Sequence, residues 1–112
     1  MTTTEAPTYG LNSRQRQHLR GLAHPLDPVV RIGRDGMTEA IVTKADQELE
    51  AHELIKIKVG DNCLEDVKLL VGSLAEQTQS ENVQVIGRVG VLYRRRSKDP
   101  EIVLPPSRPS KE

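Results

Sequence analysis

Pro28-Val29-Val30-Arg31-Ile32-Gly33-Arg34-Asp35-Gly36-Met37-Thr38-Glu39 is the stretch whose reading decides the fold of this chain. Val29, Val30 and Ile32 are β-branched, and Pro28, which lacks an N–H, fits the first position of a strand. Thr38 is a good helix N-cap, and Met37 before it can staple onto Val42 in the first turn. A short apolar strand therefore empties into a loop bracketed by Gly33 and Gly36, and that loop opens a helix. Backbone N–H groups at such a junction can receive an anion, approached closely because neither glycine has a Cβ. A Gly-x-x-Gly spacing alone is common; its place between strand and helix is what gives it weight.

Downstream, Ile41, Ala45 and Leu49 recur every four residues and predict a helix from Thr38 to about Ala51, with Glu39, Asp46, Glu48 and Glu50 on its outward side. His52 to Val59 alternates, with Ile55, Ile57 and Val59 on a dry face and Lys56 and Lys58 on a wet one. Those lysines are either strand-edge gatekeepers or phosphate contacts. Gly60-Asp61-Asn62 makes a turn. Val67, Leu70, Val71, Leu74, Ala75 and Thr78 follow the helical template and predict a helix covering one face of a sheet. Asn82 to Ile86 and Val89 to Arg94 read as a hairpin joined at Gly87-Arg88, its second strand running into Arg95 and Arg96.

Upstream, Leu11 precedes a capping pattern of Asn12 and Gln15, which starts a helix that runs to Ala23 and stops before Pro25. Its buried stripe is expected to be Leu19, Leu22 and Ala23. Arg14, Arg16 and Arg20 would then form a basic face, either solvated or binding. The first ten residues, Thr-rich with Glu5 and Pro7, read as a disordered lead-in, and the segment from Asp99, with four of the seven prolines, as an extended, mobile tail. The order α-β-α-β-α-β-β over residues 11–98 predicts a single compact α/β domain: a four-stranded mixed sheet with right-handed crossovers, a terminal hairpin and packed helices.

A chain of 112 residues suits one domain. No secretory h-region, Arg-rich presequence or apolar run near the roughly 18 residues of a membrane span is evident, so the chain reads as soluble, unprocessed and cytoplasmic. Cys63 is the sole cysteine, which excludes an internal disulfide and a thiolate zinc cluster. Net charge is zero, but it divides into +2 over residues 1–38, −6 over 39–81 and +4 over 82–112. If the basic flanks meet beside the glycine loop, the fold has a positive face and a negative back.

Catalytic motifs are missing. His52-Glu53 begins like a zincin, but the position four after His52 is Lys56, and His18, His24 and His52 have no ligand spacing. No cofactor or metal is expected. The loop lacks the Gly-Lys-Ser/Thr ending of a nucleotide-binding loop and the third glycine of a dinucleotide fingerprint, which discounts Glu53 as a ribose-binding acid. Neither a serine nor Cys63 lies in a nucleophile elbow or beside a base. Tyr9 and Tyr93 are the only aromatic residues, too few for a platform that stacks bases, so a nucleic-acid ligand would be held by backbone and shape.

The stretches Gln17 to Leu26, Val29 to Glu39, Ala51 to Val59, and Val83 to Arg88 through Val91 to Arg94 closely resemble the YhbY family, the single-domain bacterial members of the CRM group (chloroplast RNA splicing and ribosome maturation). The resemblance spans Leu11 to Lys98. It implies an RNA-binding domain similar in fold to the C-terminal domain of a bacterial translation initiation factor, associated with large-subunit ribosomal RNA and its precursor particles. Separately, no membrane or small-molecule substrate is expected as a partner, and the chain is expected to be monomeric, a state the residues themselves do not fix. Carried over, the RNA-contacting loop falls on Gly33, Arg34, Asp35 and Gly36, and Arg14, Arg16, Arg20, Arg88 and Arg94 look like its surroundings. Arg95 and Arg96 extend that surface, and Arg31, Lys56 and Lys58 complete the candidate set. Asp35 departs from a simple phosphate cradle by placing a negative charge at the loop tip. The competing readings are a protein-interaction adaptor, a small-RNA binder not tied to the ribosome and, more distantly, a nucleotide-using enzyme.

Overall fold

The computed structural model describes residues 11–105. The lead-in read over residues 1–10 and the last part of the tail lie outside that range. The elements are α1 (Ser13–Ala23), β1 (Val30–Ile32), α2 (Glu39–His52), β2 (Leu54–Val59), α3 (Val67–Thr78), β3 (Glu81–Ile86) and β4 (Val89–Tyr93), the order expected from the sequence. Local chemistry sets their ends. Asn12 and Gln15 close a reciprocal capping box on α1, Thr38 accepts the Ile41 N–H at the start of α2, and Asp66 does the same for Leu69 at α3.

The strands form one sheet in the order β1-β2-β4-β3. β1 and β2 are parallel, joined through α2, and β4 runs antiparallel to both of its neighbours. The sheet is therefore mixed, with β4 entering between β2 and β3.

Each face of the sheet carries its own core. On one, Val30, Ile32, Ile55, Ile57, Val59 and Leu92 pack against α2 and α3 through residues such as Ala45, Leu49, Leu70, Val71 and Leu74. Gly90 lets α3 approach β4 closely, since a Cβ there would lie 2.7 Å from Val71 Cγ2. On the other, Leu54, Val83, Val91 and Tyr93 pack against Leu11, Leu19 and Ala23. A bulge between Asn82 and Gln84 turns Val83 to this second side.

The second core corrects three expectations. The wet face of β2 is dry at Leu54, because α1 covers that end. Within α1 the buried positions are Gln15, Leu19 and Ala23, while Leu22 is 42% exposed. Gln15 takes the inward place because its side chain both accepts from the Asn12 N–H and donates to the Pro105 carbonyl. The segment after Asp99 is extended, but it is held as far as Pro105. Ile102 and Leu104 pack on the second core, and the Glu53 carboxylate accepts the N–H groups of Arg96, Glu101 and Ile102. Among the described residues no helix is long and apolar enough to cross a membrane.

Candidate nucleic-acid interface

Three connections meet at one end of the sheet: the 33–36 loop after β1, the 60–66 loop after β2, and the Gly87-Arg88 turn. The Gly60 N–H donates to the Ile32 carbonyl, and Arg88 ties the turn to the middle loop through the carbonyls of Val59 (3.0 Å), Gly60 (2.6 Å) and Cys63 (3.1 Å). Arg88 also lies 3.5 Å from the Asp61 carboxylate. Its guanidinium thus braces the loops.

In the glycine loop, the Gly36 N–H donates to the Gly33 carbonyl, so that amide is committed to the turn. Gly36 has φ +67°, and a Cβ there would fall 2.6 Å from the Glu65 carboxylate. Gly33 is different: it has no positive φ and no atom closer than Asn62 Nδ2 at 4.0 Å from a would-be Cβ. Its lack of a side chain answers no need of the fold. Arg34 and Asp35 stand out in solvent, 83% and 82% exposed, at 3.9 Å from each other, which amounts to a weak pairing. Asp35 and Glu65 together make the loop less positive than its arginine suggests.

A cluster of positive charge lies beside the loop, on the α1 side of the sheet. Arg31 is exposed on β1 between the inward Val30 and Ile32, and the parallel register sets it beside Lys58 of β2. Lys56 follows two residues earlier on the same face, with its Nζ 3.3 Å from the His24 carbonyl at the end of α1, and Arg20 flanks it. Because β2 is an interior strand, the edge-gatekeeper reading of the two lysines falls away. Like charges side by side on a sheet face disfavour the unliganded fold.

The other arginines are placed differently. Arg16 turns in to the β3 backbone, donating to the Asn82 carbonyl at 2.7 Å, so α1 does not present one continuous basic face; Arg14 is exposed. Arg94 lies at the opposite end of the sheet and on the α2–α3 side, held by Asp46 (2.6 Å), Glu50 (3.4 Å) and the Thr78 carbonyl (2.9 Å). Arg96 donates to the Ala51 and Asp99 carbonyls and pairs with Glu101, while Arg95 is exposed. The outward side of α2, with Glu39, Asp46 and Glu50, is an acidic back opposite the basic face.

Glu53, read from spacing as a remote ribose-binding acid, is a buried anchor of the fold at φ +66°. Burial pushes its carboxyl up, but the N–H groups of Ile102, Glu101 and Arg96 and the charge of Arg96 outweigh that, and the group sits below its ordinary range. Tyr93 nearby is pushed up by burial and by the Glu53 charge. A cleft of about 420 Å³ lies between Leu22, Leu26, Val29, Leu54 and Ile102. It is apolar and continuous with the seat of the tail, apart from the basic face. Sequence reading missed Glu65 over Gly36, because only the fold brings the two loops together.

The family model of the CRS1/YhbY (CRM) domain matches residues 11–94. An RNA-binding protein of Haemophilus influenzae is 41% identical over 95 residues, covering 85% of this chain and 95% of that protein. YqeI of Bacillus subtilis, named as a candidate RNA-binding protein, is 36% identical over 85% of this chain and 99% of its own length. The solution structure of SAV1595 from Staphylococcus aureus, described as a candidate RNA-binding protein, superposes with a TM-score of 0.73 at 44% identity, covering 86% of this chain and all of that one (100%).

Proposed function

The chain belongs to the CRS1/YhbY (CRM) domain family, and from that premise we propose that it binds RNA through the α1 side of its sheet and the adjoining glycine loop. The observation that carries this reading is the adjacency of Arg31 and Lys58 on an open sheet face, continued by Lys56 and Arg20 on one side and by Arg34 on the other. These groups neutralise successive phosphates. Gly33, free of steric neighbours, lets an RNA backbone come against the loop, while the side chains of Asp35 and Glu65 restrict the approach to its open side. Arg14 and Arg95 extend the field; Arg16, Arg88, Arg94 and Arg96 act mainly by holding the scaffold.

The relatives named as RNA-binding proteins support the ligand class. The resemblance to YhbY proteins supports a more specific role: occupying large-subunit ribosomal RNA in precursor particles during assembly, in the cytoplasm, without catalysis. Sedimentation of tagged protein from lysate through a sucrose gradient tests it. Comigration with large-subunit precursors, abolished both by ribonuclease and by Lys58→Glu, is the expected result. A large complex that survives ribonuclease would replace this reading with a protein adaptor.

A further inference from the structure

A trough of about 260 Å³ opens between the C-terminal end of α1 and the β3–β4 hairpin. Ala23, Val89 and Val91 are its apolar lining, Gln84 and Ile86 stand on the β3 side, and Arg20 and Lys56 are the charged groups at its margin. The β2–β4 register sets Lys56 opposite Val91 and Lys58 opposite Val89, so two cations run alongside the apolar floor. Ile86 is 65% exposed, and the Gln84 side-chain amide has no hydrogen bond among the described residues.

We infer that this trough receives one unpaired nucleobase of the bound RNA. The inference rests on the RNA-binding reading above and adds to it a site for a base where the aromatic platform is missing. The volume is smaller than the roughly 300–1,000 Å³ of pockets that enclose a drug-sized ligand, which suits a ring system with its sugar left outside. Val89 and its cross-strand partner Ile86 offer an aliphatic surface to the base face, with the buried Val91 as the floor beneath. The Gln84 amide carries both a donor and an acceptor and meets a base edge at two points. Lys56, steadied by its bond to the His24 carbonyl, and Arg20 neutralise the phosphates on either side of the inserted nucleotide. A paired base cannot enter, so the protein selects single-stranded or bulged segments.

The test is NMR titration of the full chain with two single-stranded RNA oligomers of equal length, one mixed in sequence and one abasic throughout. The base-bearing oligomer is expected to shift the Val89 and Val91 methyls and the Gln84 side-chain amide together with the backbone amides of residues 33–36, whereas the abasic oligomer shifts only the latter. Gln84→Leu should weaken the base-bearing oligomer by about tenfold, as loss of a base-edge contact does, and should weaken the abasic one far less. Ile86→Ser, at an exposed position, provides a second variant with the same pattern. Equal loop shifts from both oligomers with a silent trough would overturn the base pocket and leave RNA binding standing. No shift in either region with either oligomer would overturn RNA binding, and the pocket with it.

Discussion

Arg31 and Lys58 are register partners across the parallel β1–β2 pair, with both side chains on the face that α1 leaves open. Two cations on neighbouring strands repel, so the arrangement is tolerated by the free protein and relieved by an anion. Lys58→Gln should leave the thermal midpoint unchanged or slightly raised while weakening RNA. If Lys58 neutralises one phosphate of a single strand, the slope of log affinity against log salt should fall by about 0.7 in magnitude. Fluorescence anisotropy across a salt series reads this directly; an unchanged slope removes Lys58 from the interface.

The two glycines of the loop should separate cleanly. Gly36 is buried at φ +67°, so Gly36→Ala should cost about 1–2 kcal/mol from backbone conformation alone, read by urea denaturation. The Glu65 carboxylate near the new methyl sits at the end of a flexible side chain and can move aside. Gly33→Ala meets no such demand and should leave stability within about 0.5 kcal/mol. Its effect should appear in RNA affinity, since a methyl at Gly33 holds a phosphate backbone away. Unaltered affinity in Gly33→Ala would free the loop of a contact role.

Glu53 makes the docking of the tail depend on pH. Its carboxyl is lowered in the folded protein, so its contribution is fully present above the unfolded value, about 4.3 for a free glutamate, and is lost as pH falls through the lower native value. Stability therefore rises with pH across that acid window. Glu53→Gln should flatten this dependence and cost about 1–3 kcal/mol at neutral pH, because an amide NH₂ replaces one of the oxygens that accept from Glu101, Ile102 and Arg96. Hydrogen exchange at the Glu101 and Ile102 amides, accelerated in the variant, locates the effect in the tail.

Much of this was legible in the residues, and the exceptions have physical causes. Capping signals at Asn12 and Thr38 and the helical period from Val67 to Thr78 fall where the elements do, because they depend on local hydrogen bonds and on one apolar face. The second face of the sheet was not legible, since Leu54 alternates in phase with Lys56 and Lys58 and becomes buried only when α1 crosses that end. Gln15 shows the same limit: its polarity places it outside by composition, but hydrogen bonds at both ends of its amide bring it in. The glycine loop was visible as a spacing, whereas the Arg31–Lys58 adjacency depends on strand register, which the spacing does not encode. A run of arginines also hides its partners: Arg94, Arg95 and Arg96 look alike in sequence, yet only Arg95 faces solvent freely.

Arg94 gives the last prediction, as the test of that distinction. Its guanidinium joins β4 to α2 and α3 by bonding Asp46, Glu50 and the Thr78 carbonyl, and its side chain is only 17% exposed. Arg94→Gln leaves the Thr78 carbonyl and the Asp46 carboxylate without their donor, and should destabilise the domain by about 1–3 kcal/mol. Arg94→Lys should recover little, because one ammonium cannot span the fork that reaches two helices. Arg34→Gln, at a side chain 83% exposed, should leave the denaturation midpoint unchanged and lower RNA affinity. Comparison at a temperature where every variant is folded separates the two classes. Equal loss of affinity in Arg94→Gln and Arg34→Gln under those conditions would mean that the far end of the sheet also touches RNA, and that the interface wraps beyond the face bearing Arg31 and Lys58.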